Sequence, residues 1–276
     1  MESEQAVARH YAHGSLEETI MQALAAAGKD LNRLTTKDLA PVDEFHVGGR
    51  PATIAFAEQF GARAGMRLLD IGCGLGGAAR YFAHEHGCRV TGIDLSPEYV
   101  NVTNALAARV GLGERVSCQA GSALALPFAP GSFDGAYMFH VGMNIEDKAK
   151  LFAEVRRVLT PAGRFGIYDV MRLADGDLSF PVPWASGPES SFVADAPTYR
   201  RLLVAAGFEV LNERNRRDFA LEIFQQMRTR ASAGGPGPLG LHIVMGASAG
   251  QKVKNMIGDI TTGLISPTEM ICRVAA

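Results

Sequence analysis

Ten residues constrain the fold more than any others. Leu68 to Gly77 reads LLDIGCGLGG, and the run VTGIDLS, Val90 to Ser96, follows it. A short apolar run ending in an acid, then glycines, then a helix start of small residues is the pattern of a strand turning sharply beneath a nucleotide-like ligand. Gly72 and Gly74 let the backbone take φ > 0 and approach that ligand where a Cβ would block contact. A helix opening near Gly76 presents free N–H groups at its N-terminus. Asp94 closes the next apolar run, about 20 residues on, where an acid binds ribose hydroxyls.

Gly72, Gly74 and Gly77 also satisfy G-x-G-x-x-G, so the glycines by themselves admit a dinucleotide. Asp70 argues otherwise. It stands two residues before the first glycine, where it would repel a doubly negative pyrophosphate. S-adenosylmethionine carries a sulfonium and an ammonium group and no phosphate, and a carboxylate favours both. In these motifs the chain resembles the class I S-adenosylmethionine-dependent methyltransferases. The resemblance implies a cofactor set of Asp70, Gly72, Cys73, Gly74, Asp94, Leu95, Ser122, Ala123 and Phe139. Leu95 would pack on adenine, and the loop GSALALPF would meet the adenine edge with Ser122 where the family often has aspartate.

The charge is balanced, at −2 with a pI near 6.4, which gives no footprint of a nucleic-acid groove or an anionic membrane surface. No apolar run approaches the roughly 20 residues of a membrane span, and the opening MESEQAVARH is unlike a secretory signal. Cys73, Cys88, Cys118 and Cys272 have no C-x-x-C spacing, which points away from a zinc site or a disulfide framework and toward a reducing cytoplasm. No metal is expected. The expected partner is a small-molecule methyl acceptor; a homo-oligomer is compatible with the sequence.

Strands are expected near 66–71, 89–94, 115–119, 133–139, 163–170, 208–212 and 268–274, with helices near 76–86, 97–111, 147–159, 196–206 and 218–231. This alternation predicts an α/β, Rossmann-like, doubly wound and mostly parallel seven-stranded sheet. An N-terminal helical lid over 1–62 precedes a methyltransferase domain over 63–276. Within that domain, 171–194 reads as an active-site loop and 218–262 as a helical insertion before the last strand. Ser15 is the expected N-cap of a lid helix bearing Leu16, Ile20 and Leu24. GGPGPLG, Gly234 to Gly240, reads as a turn cluster.

PFAPGSFD (Pro127 to Asp134) and LTPAGRF (Leu159 to Phe165) resemble the ubiquinone-biosynthesis type of small-molecule methyltransferase. DEFHVGG (Asp43 to Gly49), NIEDK (Asn144 to Lys148) and PWASGPESSF (Pro183 to Phe192) are similar to segments of N-methyltransferases of sarcosine, dimethylglycine or phosphoethanolamine. That resemblance implies an amine acceptor, with Tyr11 paired to His140 and His140 as general base. His46, Phe45, Met143 and Trp184 are the expected acceptor contacts, and aromatic faces suit an amine that becomes cationic. Asp169 is read as a substrate anchor or a loop cap. The alternatives are an O- or C-methyltransferase of a phenol, quinone or isoprenoid-like acceptor, and a non-catalytic S-adenosylmethionine-binding protein.

Overall fold

A computed structural model describes residues 2–11, 14–234 and 237–275. Gly235 and Pro236 of the expected turn cluster lie outside them. Four helices come first: α1 (Glu2–His10), α2 (Leu16–Ala26), α3 (Thr36–Asp43) and α4 (Gly49–Phe60). The alternating core follows as β1 (Arg67–Ile71), α5 (Gly77–Glu85), β2 (Arg89–Asp94), α6 (Pro97–Arg109), β3 (Val116–Ala120), β4 (Phe133–Phe139), α7 (Lys148–Val158) and β5 (Leu159–Arg172). The chain closes with α8 (Ala196–Ala205), β6 (Phe208–Asn215), α9 (Arg217–Gly234), α10 (His242–Met245), α11 (Ala249–Thr262) and β7 (Ile265–Val274).

The seven strands order as β3-β2-β1-β4-β5-β7-β6, parallel except for β7, which runs antiparallel to both neighbours. Strand order reverses between β1 and β4, and the crevice beyond their carboxyl ends is where such sheets bind ligands. Both sheet faces are covered, so the central strands are apolar on both sides. Tyr137 and Tyr168 pack with Phe56, Phe60 and Phe82 of α4 and α5. Met138, Phe165 and Ile167 pack with Phe152, Tyr199 and Leu203 of α7 and α8.

The lid is held from two directions. Leu16, Ile20 and Leu24 of α2 join Leu39, Tyr99, Val102 and Leu106 in a separate apolar cluster, which docks α2 on α6. The helix start differs from expectation: Ser15 makes no side-chain cap bond, and Glu98 of α6 accepts the Leu16 N–H instead at 3.1 Å. Helix α3 opens on a capping box that the sequence reading passed over, formed by Thr35 and Asp38.

Strand ends also moved. β7 begins at Ile265, although Pro267 argues against a central strand. Its missing N–H falls beyond the β6 ladder, which ends at the Asn215–Thr268 pair, so no partner is lost. β6 extends to Asn215 because Arg214 lies opposite Glu269 and pairs with it at 2.8 Å. Among the described residues no helix is long and apolar enough to cross a membrane.

Candidate active site

Two cavities meet at the carboxyl ends of β1 and β4. The first, about 330 Å³, is lined by the β1–α5 loop, the ends of β2 and β4, and lid residues Glu4, Val7, Tyr11, Asp43, Phe45 and His46. The second, about 1010 Å³, lies between α3–α4, the loop around Trp184, and helices α9 to α11. Tyr11, Phe45, His46 and His140 line both and form the junction.

The glycine loop reaches its shape through backbone that only glycine takes without strain. Gly72 has φ 65°, and a Cβ built there would sit 2.5 Å from Val141 Cγ2. Asp94 ties this loop to the end of β2: Oδ2 accepts the Gly74 N–H and Oδ1 the Ser96 N–H, both at 2.9 Å. A carboxylate has about four lone-pair positions, so two remain. Asp70 is buried and accepts the Tyr137 hydroxyl at 3.1 Å. Burial pushes its carboxyl up to about 8, and nearby Asp94 and Glu44 add to the rise.

Among the described residues this lining holds six acids, Glu4, Asp43, Asp70, Asp94, Glu146 and Asp147, and neither lysine nor arginine. Such a surface opposes a pyrophosphate and suits a cationic, phosphate-free nucleoside. Gly72, Cys73, Gly74, Leu95, Ala123 and Phe139 all line it. Ser122 does not. Its hydroxyl donates to the Glu4 carboxylate and accepts the Leu124 N–H at 3.0 Å, so it fastens α1 over the loop after β3. At its other end α1 reaches the loop after β5, where His10 donates to the Pro183 carbonyl at 3.1 Å.

His140 holds a left-handed backbone at φ 55°, the one positive φ outside glycine among the described residues. Such strain, roughly 1–3 kcal/mol, persists where surrounding bonds determine it. The His140 N–H donates to the Tyr168 carbonyl at 2.7 Å, and Nδ1 meets the same oxygen at 3.1 Å. Nδ1 therefore carries the proton, and Nε2 accepts the Val47 N–H at 3.2 Å. Burial and the neighbouring His46 bring this imidazole down to about 3. Both nitrogens are thus engaged by backbone, and His140 clamps the lid turn to β5. No hydrogen bond joins it to Tyr11 among the described residues; Tyr11 instead packs against Tyr99 and Phe45, with ring centroids 5.9 and 6.2 Å away. The expected Tyr11–His140 pair is not formed, because the Val47 N–H already occupies Nε2.

His46 has the complementary arrangement. Its Nε2 lies 3.1 Å from the Gly49 carbonyl and 3.1 Å from Thr53 Oγ1, whose own hydroxyl donates to Glu44 at 2.6 Å. Both neighbours therefore accept, which fixes the proton on Nε2 and leaves the Nδ1 lone pair unbonded among the described residues. Burial lowers this imidazole to about 4, so it is neutral near pH 7.

Trp184 and Met143 line the larger chamber. Asn144 holds the Trp184 loop by donating to the carbonyls of Trp184 and Ser190 at 2.8 and 3.1 Å. Phe139 is turned from that chamber and stacks edge-on against Phe56 at 4.5 Å. Asp169 lines neither cavity. It accepts the Tyr199 hydroxyl at 2.6 Å and the Val170 N–H at 2.9 Å, so it braces β5 rather than meeting a substrate.

Sequence reading missed Tyr99 and the helices α9 to α11 as site walls, and it marked Asp43 only as part of the DEFHVGG segment. Asp43 carried one signal, an acid beside Leu39 and Val42 on the buried side of a short helix. The chamber helices carried none, since their apolar faces read equally well as core.

Comparison with known proteins places this geometry. Residues 69–167 match the family model of the methyltransferase domain. A probable tocopherol O-methyltransferase of Oryza sativa subsp. japonica is 42% identical over 97 residues, 35% of this chain and 27% of that protein. The chain spans between about a quarter and a half of the length of such curated relatives. Among solved structures, a geranyl diphosphate C-methyltransferase from Streptomyces coelicolor A3(2) superposes with a TM-score of 0.72 at 17% identity, covering 100% of this chain and 98% of that one. A putative sarcosine dimethylglycine methyltransferase from Galdieria sulphuraria gives 0.62 at 22% identity, covering 82% and 85%. At these identities the two structures establish the fold, and they are named for different kinds of acceptor. The matched residues carry the glycine loop, Asp70 and Asp94, so this part of the chain is similar to a methyltransferase domain and is built on the fold those solved structures share.

Proposed function

We propose that this chain transfers a methyl group from S-adenosylmethionine to the oxygen or carbon of a bulky, largely apolar small molecule. One observation carries the reading: an acidic cavity without lysine or arginine among its described lining opens through four residues into an apolar chamber of about 1010 Å³. The cavity fits the cofactor. Asp94 offers its remaining lone pairs to a ribose diol, Leu95 an apolar contact for adenine, and Asp70 a carboxylate for the cationic end. When bound, S-adenosylmethionine supplies an electrophilic methyl group on sulfur.

The protein's own contribution is position, desolvation and one proton acceptor. Holding nucleophile and electrophile about 3–3.5 Å apart replaces a bimolecular encounter with an aligned one. The junction of Tyr11, Phe45, His46 and His140 is where that alignment would occur. His140 keeps the lid turn in place through Val47, and His46 Nδ1 accepts the proton of an acceptor hydroxyl as its oxygen is alkylated. A conjugate-acid value of about 4 suffices, because a hydroxyl becomes strongly acidic as its oxygen forms the new bond.

The chamber lining favours this acceptor class over a small zwitterionic amine. Met143, Trp184, Ile223, Phe224, Met227 and Met256 contribute to its apolar wall. A sarcosine-like molecule needs a cation for its carboxylate; Arg50 is engaged by buried Glu44, and Lys37 is exposed. The tocopherol enzyme is a relative whose named acceptor is also largely apolar. An amine nitrogen within a bulky apolar molecule is the second reading, supported by the aromatic faces of Tyr11, Phe45 and Trp184.

Trp184 is the single tryptophan, so its emission reports occupancy of the chamber. With S-adenosylhomocysteine present, prenylated or polycyclic phenols should shift that emission in a saturable way, and sarcosine should not. The opposite pattern would refute the acceptor assignment.

A further inference from the structure

The carboxylate of Asp43, at the end of lid helix α3, is half paired. Oδ2 receives the Arg80 guanidinium at 2.6 Å, with both side chains fully buried. Oδ1 is buried as well and has no hydrogen-bond partner. Leaving a charged acceptor without a donor in a desolvated place is costly, so a donor from outside the protein is the natural complement. Two further facts locate that donor. Asp43 lines the cofactor cavity, as do Gly77 and Ala78 at the start of α5. Helix α3 ends directly against α5: a Cβ on Gly77 would lie 2.7 Å from Oδ1 and closer still to the Asp43 carbonyl. Glycine at 77 therefore lets α3 seat the Asp43 carboxylate against the first turn of α5, at the wall of the cofactor cavity, and the early N–H groups of that turn have no intrahelical acceptors. The site thus sets an anionic acceptor next to backbone donors, which matches the ammonium and carboxylate of an amino acid.

We propose that Asp43 Oδ1 binds the α-ammonium of the cofactor's amino-acid end, an inference that rests on the methyl donor assigned above. The consequence concerns the lid. Asp43 belongs to α3 and Arg80 to α5, so an occupied cofactor site completes a three-part contact between lid, ligand and core. Closure of the Asp43–Gly49 turn, which carries Phe45 and His46 to the junction, is thereby linked to the presence of cofactor before acceptor.

Calorimetric titration separates the parts. The ligands are S-adenosylhomocysteine, 5′-methylthioadenosine, which lacks the amino-acid end, and the homocysteine analogue with hydrogen in place of its amino group. Wild type should bind the deaminated analogue about 10- to 100-fold more weakly than S-adenosylhomocysteine. Asp43→Asn should weaken S-adenosylhomocysteine by a similar factor and leave 5′-methylthioadenosine within threefold, which also shows that the variant is folded. Because Asp43→Asn strands Arg80, the charge-free pair Asp43→Asn/Arg80→Gln is measured beside it, and there the deaminated analogue should bind as well as S-adenosylhomocysteine. Equal affinity of both ligands for wild type overturns the proposal even if neither variant folds. Unchanged S-adenosylhomocysteine affinity in a folded variant also overturns it, with the cofactor reading intact. Failure of wild type to bind S-adenosylhomocysteine at all removes the cofactor reading and this inference with it.

Discussion

Replacing Asp94 with alanine tests the nucleoside assignment through a quantity the structure supplies. The carboxylate spends two of its lone pairs on the Gly74 and Ser96 N–H groups, each at 2.9 Å, and burial raises its pKa. Two lone pairs are left for the two hydroxyls of a ribose. Hydrogen bonds to a charged group contribute about 1.5–3 kcal/mol each, and water returning to the emptied site offsets part of that. A net loss of about 2–4 kcal/mol corresponds to roughly 30- to 1,000-fold in Kd. Asp94→Ala should therefore weaken S-adenosylhomocysteine by that factor in a calorimetric titration. The same experiment with adenosine and 2′,3′-dideoxyadenosine isolates the diol. Wild type should prefer adenosine strongly, and the variant should bind the two alike. If the variant binds S-adenosylhomocysteine within threefold of wild type, or keeps the preference for adenosine, the ribose is not held by Asp94.

Three further outcomes follow from the geometry. Asp70 keeps its proton up to about pH 8 in the free protein, and a cationic ligand favours its ionised form, so binding at pH 7 should release a proton. Affinity then rises with pH, by at most about tenfold per unit, and levels off above pH 8; titration in two buffers of different ionisation enthalpy shows the release, which Asp70→Asn should abolish. Val253→Trp projects bulk into the larger chamber from α11, and it should raise KM for a bulky acceptor about tenfold or more while S-adenosylhomocysteine affinity stays within threefold. Gly72→Ala combines φ 65° with a Cβ placed 2.5 Å from Val141, and thermal unfolding should report about 1–3 kcal/mol of destabilisation.

The sequence was most informative where one residue type had one physical use. The glycines at 72 and 74, with Asp70 and Asp94, marked a sharp strand-to-helix turn flanked by acids, and the structure forms that turn with Gly72 and Gly74 at positive φ. The parallel core was legible from its alternating apolar runs, and the observed strands β1, β2 and β4 match their expected spans within a residue. Ends set by tertiary pairing were not legible: β7 starts before Pro267 because its neighbour β6 has already ended. Side-chain direction was the other limit. Ser122 and His140 were named for their positions after strands, yet Glu4 draws one to the lid and the Val47 N–H occupies the other. The acceptor class depended on a chamber whose walls come from segments more than 200 residues apart, Tyr11 and Met256 among them, and no local pattern encodes such a volume.

Methyl transfer to a bulky apolar acceptor is open to one direct assay. The protein is incubated with methyl-labelled S-adenosylmethionine and a panel containing prenylated phenols, polycyclic hydroxyl compounds, apolar amines, sarcosine and dimethylglycine, and label is followed into product. Label should pass to the bulky apolar members, and His46→Gln should reduce that transfer by roughly 10²-fold where the acceptor is a hydroxyl. Transfer confined to sarcosine or dimethylglycine would contradict the acceptor assignment, and absence of S-adenosylmethionine binding would remove methyl transfer altogether.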